Sequence, residues 1–403
     1  MSLQLLGVEN YRGFVDPTQV DVRPFTLLFG YNSSGKSALL RLVPLLQQTQ
    51  REGGPPISFA APSLREATFS DVKSRMDNGL SLAVIVEDEE SKATYTIRDL
   101  PDLRRQVVEK IVRTDHTGTS SLEWTTQGLT QYRLIGSGRD ETIDLSIEGL
   151  SVSGPNLRWD MPAHADLERS QWLDSLRARV PRRIPFGGRP NGPMRPDGED
   201  AARVLAYAKL DGSEVFELVV DFFHNHLNLR LSIEEVEDDF RIRISPPAQP
   251  ALSVDLADTG EGLAQVLPVA VSVAQSMTDS GPRILALEQP ELHLHPRLHE
   301  QVTAWIVKAV RRNPQTRILV ETHSEHFLLS VLLSVAREKL LPSQVAIHWV
   351  HQLDDGRSIA QRVELTDKGV PDHHLPPDIF SEASDLAERL SEARSNWSST
   401  SAD

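Results

Sequence analysis

Gly30-Tyr31-Asn32-Ser33-Ser34-Gly35-Lys36-Ser37 decides the fold. Its spacing is G-x-x-x-x-G-K-S. In such a loop, backbone N–H groups surround phosphate oxygens, the lysine reaches the β- and γ-phosphates, and the serine hydroxyl meets Mg2+. The flanks agree with this. Residues 25–29 are a short apolar run suited to a buried strand, and residues 36–50 carry a helical pattern. Strand, loop and helix in that order predict an α/β fold with ATP and Mg2+ as cofactors.

Upstream of the loop, residues 3–9 and 20–23 read as strands. Downstream, two glycines and two prolines at 53–56 end the helix. Alternating apolar and polar residues predict strands at 80–86, 93–97, 131–135 and 142–147, an antiparallel β-rich subdomain inserted after the first helix. Residues 177–196 form a loop rich in arginine, proline and glycine. Helices are expected at 199–209 and 214–226. From about residue 250 the α/β pattern resumes. Helices are expected at 263–277, 298–311 and from 325, and strands at 283–287, 317–321, 345–350 and 361–365. The serine-rich tail from 391 is expected to be disordered. The chain thus divides into 1–75, 76–165, 166–249, 250–366 and 367–403. The first and fourth segments form one head, and the last is an extension and tail.

The chain has 403 residues, a formal charge of −15 and no cysteine. It is long enough to bury a core unaided. Thiolate catalysis, disulfide scaffolding, cysteine-ligated zinc and iron–sulfur clusters are excluded. The acidic balance argues against a broad basic coat for nucleic acid, though a local basic groove is compatible with it. No signal peptide opens the chain. The most apolar stretch, 262–277, contains Gln265, Pro268 and Gln275 and is too short to span a bilayer, so a cytoplasmic protein without membrane insertion is expected.

An apolar strand ending in a carboxylate is how phosphate-loop enzymes hold Mg2+. Arg283-Ile284-Leu285-Ala286-Leu287 ends in Glu288, the candidate ligand beside Ser37. Gln289 and Glu291 follow. An amide orients water but takes no proton. Either Gln289 positions the water, or Glu291 supplies the carboxylate, or hydrolysis is slow. Glu291, His293, His295 and His299 have the residue types of a metal site, but Pro296 favours a loop that contacts a second subunit. A second apolar strand leads to Glu321-Thr322-His323-Ser324. That is far enough beyond Glu288 for one crossover helix and an adjacent parallel strand. His323 can then meet the γ-phosphate while Ser324 caps the next helix. Asp258-Thr259-Gly260-Glu261-Gly262 precedes another helix and could bind an anion there.

In this order the elements resemble the ABC-type ATPase heads of the SMC, RecF and OLD (overcoming lysogenization defect) group. Val8-Glu9-Asn10-Tyr11-Arg12-Gly13-Phe14 is similar to that group's N-terminal strand. Gly30 to Ser37 matches its Walker A loop, and Asp258 to Gly262 its degenerate signature. Glu288-Gln289-Pro290-Glu291-Leu292-His293-Leu294-His295-Pro296 matches its Walker B strand and D-loop, and Thr322-His323-Ser324 its switch histidine. Residues 369–380 resemble the C-terminal extension of a bacterial AAA-family ATPase subgroup.

The resemblance implies a homodimer that sandwiches two ATP molecules. Arg12, Gly30, Asn32, Ser33, Ser34, Gly35, Lys36 and Ser37 of one copy would hold each nucleotide against Asp258, Thr259, Gly260, Glu261 and Gly262 of the other. Glu288, Gln289, Glu291 and His323 would be the catalytic group. No heptad run supports a coiled-coil arm, and residues 366–403 are too few for a Toprim nuclease. A separate effector, a nuclease or other protein, is therefore expected, with a role in anti-phage defence. Two alternatives remain. One is a RecF-like repair ATPase that binds DNA through Arg177, Arg179, Arg182, Arg183, Arg189 and Arg195. The other is a non-hydrolysing ATP-bound scaffold, motivated by Gln289.

Overall fold

The computed structural model describes residues 2–380 apart from 53, 137 and 191. The tail from 391 lies outside the described residues. The chain opens with β1 (Leu5–Glu9), β2 (Thr18–Asp21) and β3 (Phe25–Phe29), followed by the phosphate loop, α1 (Lys36–Leu40) and α2 (Leu42–Glu52). The single helix expected over 36–50 is thus two. Pro44 has no N–H to give the carbonyl of Leu40, so the ladder breaks and restarts at Arg41. Arg41 stands at this break, and its side chain reaches Glu288.

A short α3 (Phe69–Val72) leads to a run of antiparallel strands. These are β4 (Ser81–Glu87), β5 (Ser91–Leu100), β6 (Arg105–Asp115), β7 (Gly118–Trp124), β8 (Gln131–Gly136) and β9 (Arg139–Asp144). They do not stand alone. The sheet order is β2-β1-β4-β5-β6-β7-β8-β9, so the β-rich middle extends the sheet that the N-terminus begins. β6 and β7 fall outside the expected strands; in β6 a register shift opposite Thr96/Ile97 leaves Glu109 unpaired, and the adjacent Val107 and Val108 are both buried, which breaks the period of two. Small strands β10 (Ser146–Glu148), β11 (Ser151–Gly154) and β12 (Leu157–Trp159) form a separate sheet, followed by α4 (His164–Glu168).

The head is built around a second sheet. Its elements are β13 (Ser170–Leu173), then β14 (Ile184–Pro185), α5 (Ala201–Leu210), α6 (Glu214–Leu227), β15 (Arg230–Val236), β16 (Asp239–Ser245), β17 (Val254–Asp255) and α7 (Glu261–Ser276). Next come β18 (Ile284–Glu288), α8 (Pro296–Arg312), β19 (Arg317–Thr322), α9 (Glu325–Ala336), β20 (Val345–Gln352) and β21 (Ser358–Val363). The order is β13-β18-β19-β3-β20-β21, parallel except for β21. Alternate residues face opposite cores. Leu285, Leu287, Ile318, Val320 and Leu27 pack with Phe222, Trp305 and Phe327 on the helical side. Ile284, Ala286, Leu319 and Leu28 pack with Leu40, Phe14 and Tyr95 on the β-rich side. Both faces are covered, so the strands read as continuous apolar runs.

His348 on β20 is only 1% exposed and sits 3.2 Å from the Asp21 carbonyl through Nε2. Burial first, and Arg362 second, push its pKa down to about 4. The unfolded chain therefore binds a proton that the native state refuses. Stability is fully present above about pH 6.5 and falls as the pH drops toward 4, by at most about 3 kcal/mol. His348→Gln keeps a donor toward Asp21. Urea unfolding at pH 7 and pH 5 should show a smaller acid loss for the variant; an equal loss would remove His348 as the cause.

Candidate functional site

The phosphate loop joins β3 to α1 and needs both its glycines. A Cβ on Gly30 would lie 1.9 Å from the Val350 carbonyl oxygen of β20. Gly35 has φ +105, and a Cβ there would lie 2.8 Å from the Phe14 ring. Phe14 belongs to the turn that carries Arg12, so this contact seats the turn against the loop. The Arg12 Nε is buried without a hydrogen-bond partner. Lys36 is 4% exposed, and its Nζ donates to the carbonyls of Gly30 at 3.0 Å and Tyr31 at 2.6 Å. Burial holds its pKa below the ordinary lysine value, against the pull of Glu321 and Glu291.

Three carboxylates lie at the ends of β18 and β19. Glu288 is clamped by Arg41, Nε to Oε1 and Nη2 to Oε2, both 2.6 Å, and accepts the Trp172 indole N–H at 2.9 Å. Burial is the largest influence on its carboxyl and keeps it above the usual range despite Arg41. Arg41 also approaches Asp174 at 3.6 Å. Glu321 pairs in register with Glu288 on the neighbouring strand. Its Oε1 accepts from the Ser37 hydroxyl at 2.7 Å, and its Oε2 is buried without a partner. Burial, then the Glu288 charge, push Glu321 up to about 7. Glu291 accepts from the Thr322 hydroxyl, and burial pushes it to about 7 as well. The donor set of a hydroxyl and carboxylates suits Mg2+, and the buried, partnerless Glu321 oxygen fits a cation at this place.

Gln289 has φ 42, and its N–H donates to the Glu321 carbonyl at 2.8 Å. Arg177 Nη2 donates to the carbonyls of Glu288 at 2.9 Å and Gln289 at 2.8 Å. Arg177 is therefore a buried support of this turn, with its pKa pulled down to about 10 by burial. The other arginines of the loop face carboxylates: Arg179–Glu261, Arg182–Asp258, Arg183–Asp239, Arg189–Asp211 and Arg195–Glu199. The stretch expected to offer a basic groove is neutralised by its own neighbours.

The histidines after Glu291 are not gathered as metal ligands. His295 Nδ1 accepts the Arg297 N–H and caps α8. His299 contacts the Ser324 hydroxyl at 2.9 Å and the Leu294 carbonyl at 3.3 Å. Among the described residues, the group with ligand atoms close enough for a metal is Asp372, His373 and His374. They belong to the C-terminal segment. His373 and His374 line a cavity of about 800 Å³ with Tyr31, Asn32, Trp349 and His351, beside the phosphate loop. A similar cavity of about 830 Å³ lies near Pro56 and Val107, on the β-rich layer. His323 follows β19, and partial burial and the Lys36 charge lower its pKa.

Thr259 donates through Oγ1 to the Leu256 carbonyl at 2.7 Å, and a Cβ on Gly260 would meet no heavy atom within 4 Å. Gly262 packs against the His293 carbonyl, 2.7 Å from where its Cβ would stand. Residues 258–262 thus lean on the turn after β18 and on the arginine loop of their own chain. Arg41, Trp172, Asp174 and Glu321 were not expected as site residues, and Arg177 was expected as a DNA contact rather than as a support of this turn. Glu321 obeys the same rule as Glu288, an apolar strand ending in a carboxylate. Arg41, Trp172 and Asp174 carry no local signal.

Lys36 curled into a strand–loop–helix turn, with carboxylates ending two neighbouring parallel strands, has the geometry of a P-loop nucleotide-binding domain. The chain belongs to the family described as "AAA domain, putative AbiEii toxin, Type IV TA system", whose model matches residues 25–330. Similar solved structures include the SMC head domain from Thermotoga maritima, at 13% identity and TM-score 0.44, covering 91% of this chain and 100% of that one. Another is the Smc head domain with an extended coiled coil bound to the C-terminal domain of ScpA, derived from Pyrococcus furiosus. It has 12% identity and TM-score 0.44, with 96% and 99% covered. No curated protein matches the chain. Among the described residues, no helix is long and apolar enough to cross a membrane.

Proposed function

We propose that the chain is an ATP-dependent switch that closes as a homodimer around two ATP molecules and so gates a separate effector. Lys36 exchanges two neutral carbonyl acceptors for phosphate oxygens, a stronger charge-assisted pairing. Ser37 with a strand-end carboxylate offers oxygen ligands to Mg2+, which neutralises phosphate charge when bound. Gln289, fixed through its backbone by Arg177 and Glu321, orients a water without taking its proton. Slow turnover and a long-lived closed state follow.

The observation that carries this reading is the open space around Gly260 at the start of α7. It leaves room for a nucleotide held by a second copy, with Thr259 and Gly260 reaching its γ-phosphate. Sedimentation velocity tests this. The wild-type chain should dimerise with ATP and Mg2+, and Gly260→Arg should bind ATP yet stay monomeric. A dimer formed equally by the variant would sink the arrangement.

The scaffold reading is favoured by Gln289 alone. Gln289→Glu restores a base and is expected to raise phosphate release by about 10–100-fold. If neither wild type nor variant shows release that depends on Lys36, the scaffold reading replaces the hydrolytic one. The gating of an effector in anti-phage defence takes support from the family's description as part of a toxin–antitoxin system. Affinity capture from the native host with and without ATP checks it; a partner retained equally by Lys36→Ala would contradict gating.

A further inference from the structure

We propose that Glu321 is a ligand of the nucleotide's Mg2+ together with Ser37, while Glu288 serves chiefly as the counter-ion that fixes Arg41. The proposal rests on the ATP reading of the phosphate loop.

Three observations carry it. First, the Ser37 hydroxyl already touches a carboxylate, and that carboxylate is Glu321, at 2.7 Å. The serine of a phosphate loop is the group that meets the metal, so its partner stands where a metal-holding carboxylate must stand. Second, the two glutamates differ in what they have left to give. Both Glu288 oxygens are taken by Arg41, and one also accepts from Trp172. A cation there must first displace the Arg41 guanidinium, which is only 11% exposed. Glu321 Oε2 is buried with no partner, in a residue only 3% exposed. A buried anionic oxygen without a donor is a place a cation satisfies.

Third, topology sets the distances. β19 lies between β18 and β3, and Glu321 pairs with Leu28 just before the loop. Adjacent strands are about 4.8 Å apart, so Glu288 stands one strand further from β3 than Glu321 does. A small ion that also keeps phosphate oxygens and waters in a tight octahedron is served by the nearer carboxylate.

The test uses the full chain and a fluorescent ATP analogue, titrated in EDTA and in Mg2+, with Mn2+ electron paramagnetic resonance as a second readout. In wild type, Mg2+ should tighten nucleotide binding. Glu321→Gln should lose about tenfold or more of that enhancement and of nucleotide-dependent Mn2+ binding. Its affinity in EDTA should stay within about twofold, and Glu321→Asp should be intermediate. Thermal melts establish that each variant is folded. Glu288→Gln should disturb the melt more than the Mg2+ enhancement. If Glu321→Gln keeps the full enhancement, or Glu288→Gln alone abolishes it, this assignment is overturned and the ATP reading stands. If wild type binds no nucleotide in either condition, the ATP reading falls and this assignment with it.

Discussion

Lys36→Ala is expected to lower phosphate release by about 10²–10³-fold and to abolish measurable ATP binding at micromolar nucleotide, with the fold intact. Both halves follow from where Lys36 sits. Its ammonium is the loop's own cation, 4% exposed and held by the Gly30 and Tyr31 carbonyls. Without it the loop keeps its backbone N–H groups but loses the charge that follows the γ-phosphate. The ammonium is also desolvated, which lowers its pKa. Removing it therefore relieves a burial penalty while losing two bonds to neutral acceptors. The melting temperature should accordingly stay close to wild type. Titration with a fluorescent nucleotide and a thermal melt on one sample read both. Retained binding would remove the phosphate loop as the nucleotide site, and a collapsed melt would show that Lys36 holds the loop together.

Arg41→Ala is expected to destabilise the chain by about 3–5 kcal/mol, as is usual when one partner of a buried ion pair is removed. Arg41 makes two 2.6 Å contacts to Glu288, which is 2% exposed. After truncation the carboxylate keeps only the Trp172 N–H. Asp174 loses a cation as well, although Arg65 still pairs with it at 2.9 Å. Adding Glu288→Gln to Arg41→Ala removes the stranded charge and should recover a large part of the loss. A double-mutant cycle from urea unfolding midpoints measures this. A single-variant cost under about 1 kcal/mol, or no coupling between the two sites, would mean that the pair is not a structural clamp.

The expectations that held are those written in local order. The strand before the loop and the strands expected over 283–287 and 317–321 appear within a residue of where the apolar pattern sets them. Such signals survive because a buried parallel strand must be apolar on both faces, whatever its neighbours are. The weaker expectations depended on distant partners. Residues 177–195 look basic in the chain, yet Arg177, Arg182 and Arg189 meet carboxylates or carbonyls supplied from elsewhere in the fold, and Arg195 meets Glu199 four residues on. The helix after the loop looks continuous, yet it is divided at Arg41, three residues before Pro44.

By itself, the sequence determined that this is a phosphate-loop head free of thiol chemistry, because glycine spacing, strand hydrophobicity and the absence of cysteine are properties of neighbouring residues or of composition. Only the tertiary structure decided which carboxylate faces Ser37 and which is held by Arg41. Glu288 and Glu321 end strands of the same character, and their difference is the sheet order that puts β19 next to β3. That order arises from long-range packing, as do the edge strand that brings Trp172 to Glu288 and the buried Arg177 that supports the turn after β18. No local pattern encodes which strands become neighbours, and the chemistry of this site is set by those neighbours.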